Sequence, residues 1–83
     1  LRLQNWRGML AVSDYQVALA HAEPNLLGMV HFERGEYSQQ LGESDAALEE
    51  YIRCVELCKR NSLVEEAKAR VNTLLAEHQG SLH

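Results

Sequence analysis

The chain has 83 residues, 46% of them hydrophobic and 24% charged, which suits a single folded domain and excludes intrinsic disorder. Its net charge of −4, from 12 acidic and 8 basic residues with no cluster of Lys and Arg, excludes nucleic acid and anionic membrane as partners. No apolar run approaches the roughly 18 residues of a spanning helix, and Leu1 to Val12 is interrupted by Arg2, Gln4, Asn5 and Arg7, unlike a signal peptide, so a soluble, cytoplasmic protein is expected.

Only 6% of the residues are aromatic, so the core must be mostly aliphatic and the stability margin thin. The opening LRLQNW, without a methionine, is what a piece of a longer product would show.

In chain order, Leu1 to Asn5 reads as the tail of a helix, and Asn5-Trp6-Arg7-Gly8 as a tight turn that Trp6 staples to the core. Met9 to Glu23 has no Gly or Pro and carries Ala11, Val12, Tyr15, Ala18, Leu19 and Ala22 at helical spacing, which predicts a helix. Pro24 ends it, because the residue before a proline is pushed out of the helical region, and Asn25 can cap the next element. Leu26 to Leu41 is the next predicted helix, with Leu27, Val30, Arg34, Tyr37 and Leu41 on one side and Met29 and Phe32 toward another. Gly28 and Gly35 each cost it about 1 kcal/mol relative to alanine, but they share a face, where missing side chains let a neighbouring helix approach.

Gly42 closes that helix and Ser44 is placed to cap the next, with Asp45 in its first turn and Lys59 and Arg60 in its last. Ala47, Leu48, Tyr51, Cys54, Val55 and Cys58 make one wide apolar face along it. Cys54 and Cys58 stand one helical turn apart, with Cβ atoms ~5–6 Å from each other, too far for an undistorted disulfide, and so read as reduced thiols. After the break at Asn61-Ser62, the pattern Ser62-x-x-Glu65 resembles a capping box ahead of Leu63, Val64, Ala67, Val71, Leu74 and Leu75. That last helix should run to about Gln79, ended by Gly80, with Ser81 to His83 as a tail.

Sliding the chain by 36 residues lays Ala11 on Ala47, Val12 on Leu48, Asp14 on Glu50, Tyr15 on Tyr51, Ala18 on Cys54 and Leu19 on Val55. This period, with two helices per unit, resembles the tetratricopeptide repeat, whose period is about 34 residues. Gly35 falls at that family's first-helix glycine, Gly42 at its turn glycine, Ala47 and Cys54 at its small second-helix positions, and Tyr51 at its aromatic. The chain departs from the pattern at His31 for tryptophan, Arg34 for leucine and Ser38 for tyrosine, with Tyr37 one place earlier, and Asn61-Ser62 stand where the closing proline belongs.

The resemblance implies an all-α domain of antiparallel helix pairs stacked in a right-handed superhelix: a partial repeat over 1–25, a full repeat over 26–61, a capping or next-repeat helix over 62–79 and a tail over 80–83. A four-helix bundle with alanine-rich seams fits the same sizes. The family's concave groove receives a peptide or partner protein. Its counterparts here are Met29, Phe32, Glu33, Glu36, Gln39 and Gln40 on one helix and Glu66, Arg70 and Thr73 on the next. Members that hold chaperone tails use lysines and asparagines there. Phe32, Glu33 and Glu36 instead imply a neutral or basic ligand. A self-associating structural module, a homo-oligomer without a peptide ligand, is the other reading.

Catalysis and cofactors find no support. Cys54 and Cys58 with His21 or His31 lack the closed spacing of a structural zinc site, and neither a nucleophile turn nor a phosphate-binding glycine loop occurs. Glu49, Glu50 and Glu56 share a helix with Arg53 and Arg60. The pairs Glu49–Arg53, Glu56–Arg60 and Glu66–Arg70 at four-residue spacing predict a solvated, charge-paired face.

Overall fold

A computed structural model of the chain describes residues 5–19, 23–59 and 61–80, and every regular element in them is a helix: α1 (Trp6–Leu19), α2 (Pro24–Gln40), α3 (Ser44–Leu57) and α4 (Asn61–Gly80). Residues 1–4 of the expected helical tail over 1–5, residues 81–83 of the expected C-terminal tail, Ala22, and the partner Arg60 expected for Glu56 lie outside the described residues.

The helix ends differ from the sequence reading by a few residues, each for a local reason. Asn5 to Gly8 is the capped start of α1 and not a tight turn. The Gly8 N–H donates to Asn5 Oδ1 at 2.9 Å and the Met9 N–H to the Asn5 carbonyl at 2.9 Å. Trp6, now inside α1, does pack inward, its ring centroid 5.8 Å from that of Tyr37. Pro24 opens α2 at the first helical position, where a missing N–H costs nothing, and Glu23 precedes it in extended geometry. Asn25 therefore caps no helix start. Its Oδ1 accepts the Lys59 N–H at 2.7 Å and ties the start of α2 to the segment after α3.

Gly42 ends α2 as expected. At φ +77° it adopts the left-handed turn of a Schellman motif, its N–H bonded to the Gln39 carbonyl at 3.0 Å and the Glu43 N–H to that of Ser38 at 2.9 Å. Glu43, not Ser44, then precedes α3, and neither side chain caps it. α3 stops at Leu57, and Cys58 turns extended, so Lys59 lies past the end and not in a last turn. α4 begins at Asn61, which puts Ser62 inside the helix and removes it from the N-cap position that a capping box requires.

Packing follows chain order: α1 against α2, α2 against α3, α3 against α4. α2 and α3 run antiparallel at unusually close range. A Cβ on Gly28 would lie 2.7 Å from Cys58 Cβ, and one on Gly35 2.5 Å from the Tyr51 ring. From Gly28 to Gly35 the residue number rises by seven, and on the facing segment it falls by seven, from Cys58 just past α3 to Tyr51 within it. The main core gathers at this seam from Phe32, Ala47, Tyr51, Cys54, Cys58, Ala67 and Leu74, while Leu27 and Val30 with Val17 and Leu57 make a smaller one toward α1. Of the apolar set of α4, Leu74 is buried while Leu75 beside it stays exposed. Cys54 and Cys58 are buried free thiols.

At 100° per residue the surface of α2 is divided three ways. Gly28, Gly35 and Phe32 face α3. Leu27, Val30 and Arg34 face α1. Met29, Glu33, Glu36 and Tyr37 are left between α1 and α4.

Candidate functional site

The third face of α2 and the first half of α4 enclose a hollow of about 450 Å³, lined by Met29, Phe32, Glu33, Glu36, Ser62, Leu63, Glu66 and Arg70. Six of the nine residues nominated from the sequence meet here. The other three do not. Gln39 accepts the Tyr51 hydroxyl hydrogen bond at 2.5 Å, the Thr73 hydroxyl donates to the Ala69 carbonyl of its own helix at 3.0 Å, and exposed Gln40 is not among the lining residues. Ser62 and Leu63 join the site although the sequence pattern marks them only as a cap and an apolar position. A signal for them is present, since Ser62, Leu63, Glu66 and Arg70 succeed one another over a little more than two turns along one helix face.

Arg70 organises the hollow. Its guanidinium donates to Glu36 at 3.0 Å, to Glu66 at 3.2 Å and to the Tyr51 hydroxyl at 3.2 Å, and lies 4.8 Å above the centre of the Phe32 ring. Burial alone would lower its pKa, but the hydrogen bonds to Tyr51 and Glu36 outweigh that and raise it. Burial likewise pushes the Tyr51 hydroxyl up, partly opposed by Arg70. Phe32 is the floor of the hollow, only 9% exposed, its ring centroid 5.4 Å from that of Tyr51 with the two planes tilted by 59°. Around that floor stand three carboxylates, Glu33, Glu36 and Glu66, against one guanidinium.

A second hollow of about 430 Å³ lies on the α1 side, formed by Asn5, Gly8, Met9, Val12 and Gln16 with Glu33 and Tyr37. Burial, then the negative charge of Glu33 and Glu36, raises the Tyr37 pKa.

Behind the hollows, Arg34 joins three helices. It pairs with Asp14, reaches Ser13 Oγ at 3.0 Å and donates to Glu50 at 3.0 Å, while His31 Nδ1 sits 2.6 Å from the other Glu50 oxygen. Glu50 is 17% exposed and belongs to this interior network, not to the solvated face expected for it. Glu66–Arg70 forms as expected, and Glu49–Arg53 does not come within ion-pair distance among the described residues.

His31 is thereby committed to Glu50, and His21 lies outside the described residues. Among the described residues no group of His, Cys, Asp and Glu could hold a metal ion, and no helix is long and apolar enough to cross a membrane. Comparison with known proteins finds no matching family model, no similar curated protein and no similar solved structure.

Proposed function

We propose that this chain is a protein-interaction module of tetratricopeptide-like architecture, an adaptor or scaffold segment that receives a peptide or partner protein and catalyses nothing. The observation that carries this reading is the α2–α4 hollow. Two helices separated in sequence by α3 turn a set of apolar and acidic side chains toward one concave space, over a floor stiffened by Phe32, Tyr51 and Arg70. Serial packing of helices, with small residues at Gly28, Gly35, Ala47 and Cys54, supports the repeat architecture, although an open helical bundle packs in the same order. The acidic balance favours a neutral or basic ligand, and buried free thiols suit a reducing, cytoplasmic setting.

The test is selection of binding peptides from a random display library, followed by mapping of amide shifts on the labelled protein. Shifts at Met29, Glu33, Leu63 and Glu66 are expected. Larger shifts at Glu49 and Arg53, on the far side of α3, would remove the groove from consideration.

A second reading, self-association without a peptide ligand, is favoured by one observation: Met9 and Val12 on α1 and Leu75 on α4 stand exposed.

A further inference from the structure

The hollow against α4 and the hollow against α1 adjoin along α2, and Glu33 lines both. Met29 lines the first and Tyr37 the second. On a helix rising 1.5 Å per residue, Met29, Glu33 and Tyr37 succeed one another at steps of about 6 Å along one face. An extended peptide sends every second side chain to the same side, at steps of about 6.5 Å. Three alternate side chains of one extended segment therefore match three positions of this stripe without either chain bending.

Charge decides what the middle side chain must be. Glu36 and Glu66 are held by Arg70 at 3.0 and 3.2 Å, Glu43 by Arg7 at 2.5 Å and Glu50 by Arg34 at 3.0 Å. Glu33 is exposed and has no ion-pair partner among the described residues. It stands as an uncompensated carboxylate between two hollows that each offer apolar surface, Met29, Phe32 and Leu63 in one and Met9, Val12 and Tyr37 in the other.

We propose that this surface takes an extended segment of a partner protein running along α2, with a lysine or arginine opposite Glu33 and an apolar side chain two residues to either side of it, one in each hollow. The proposal rests on the protein-binding reading above and specifies its ligand. A basic side chain suits the place twice over, because its aliphatic stem can lie on apolar surface while its head group reaches the carboxylate.

The probes are fluorescent synthetic peptides, flanked by serines, whose cores read Leu-Ser-Lys-Ser-Leu, Leu-Ser-Gln-Ser-Leu and Leu-Ser-Glu-Ser-Leu, titrated with the protein and read by anisotropy. Wild type should prefer the lysine core over the glutamate core by about 5–10-fold, the range two surface charge effects give. Glu33→Lys should invert that order, and its far-UV circular dichroism should match wild type because the side chain is exposed. An unchanged order in Glu33→Lys overturns the segment proposal. If Leu63→Ala still weakens all three peptides in that case, the binding surface itself stands. If neither substitution affects binding, both readings fall, and absence of binding by the lysine core overturns the proposal directly.

Discussion

The ring of Tyr51 occupies the space a side chain on Gly35 would need: a Cβ there would lie 2.5 Å from Tyr51 Cε1 and 2.7 Å from Cδ1. Tyr51 is fully buried, so its ring cannot swing into solvent to make room. Gly35→Ala thus sets two effects against each other. The helix gains about 1 kcal/mol in propensity, and overpacking of a tight seam costs about 1–3 kcal/mol. We expect net destabilisation, seen as a lower denaturation midpoint. In the background of Tyr51→Leu, which removes the ring, the same Gly35→Ala change should become neutral or stabilising. Equal effects in both backgrounds would show that the seam is not what holds this glycine.

The Arg34 network makes a different prediction, about order of stability among variants. Arg34→Leu leaves Glu50, 17% exposed, with only His31, and should cost about 1–3 kcal/mol. Removing both charges should be milder. Arg34→Leu with Glu50→Leu fills the seam with apolar volume, and Asp14, 70% exposed, is left in water. Urea denaturation should place this double variant above the Arg34→Leu single variant. The reverse order would mean that Glu50 is stabilised mainly by His31.

These two sites also show what a sequence can disclose. Gly28 and Gly35, unfavourable inside a helix and seven residues apart, signal a close contact before any partner is known, and Tyr51, Ala47 and Cys54 have the size pattern of its other side. That information is local and periodic, so it is legible. Arg34 is a departure from a family pattern, and nothing local says that it meets Asp14 on one helix and Glu50 on another. Glu50 has arginines nearby in sequence, which point it to the solvent, while its real partner lies on a different helix. Long-range ion pairs carry no sequence period. The hollow is legible in part for the same reason: Glu33, Glu36, Glu66 and Arg70 can be placed from helix faces, whereas the inward stacking of Phe32 under Arg70 depends on how α4 crosses α2.

Burial pushes the Cys54 thiol up from the ordinary 9.0 to about 11, with the neighbouring Cys58 adding to the shift. The folded protein holds the proton more tightly than the unfolded chain. Below pH 9 both forms are protonated and the contribution to stability is complete. Between about pH 9 and 11 the unfolded thiol ionises while the folded one does not, so stability should fall by about 2–3 kcal/mol over that window. Cys54→Ala should lose this part of the fall and keep the part due to Tyr51, whose pKa burial also raises from 10.0. Denaturation midpoints at pH 8, 9 and 10 for the two proteins, expected to converge as pH rises, provide the check. A parallel decline would mean that Cys54 titrates alike folded and unfolded.

The last prediction concerns the two outermost helices. Met9 and Val12 stand 38% and 60% exposed one turn apart on α1, and Leu75 is 43% exposed on α4, while Leu74 beside it is sheltered by the core. Among the described helices α2 and α3 each pack on two neighbours, while α1 packs chiefly on α2 and α4 chiefly on α3. The α1 face of one copy can therefore lie on the α4 face of another, a head-to-tail contact that extends without closing. Light scattering across a concentration series should show apparent mass rising with concentration. Val12→Glu blocks one end of each copy and Leu75→Glu the other, so either variant alone should be monomeric. An equimolar mixture of the two retains one intact α1 face and one intact α4 face, and should form a dimer and stop there. A mixture that stays monomeric, while wild type associates, would place the contact elsewhere. Wild type that remains monomeric at every concentration and melts cooperatively would show that four helices suffice to close the stack on themselves.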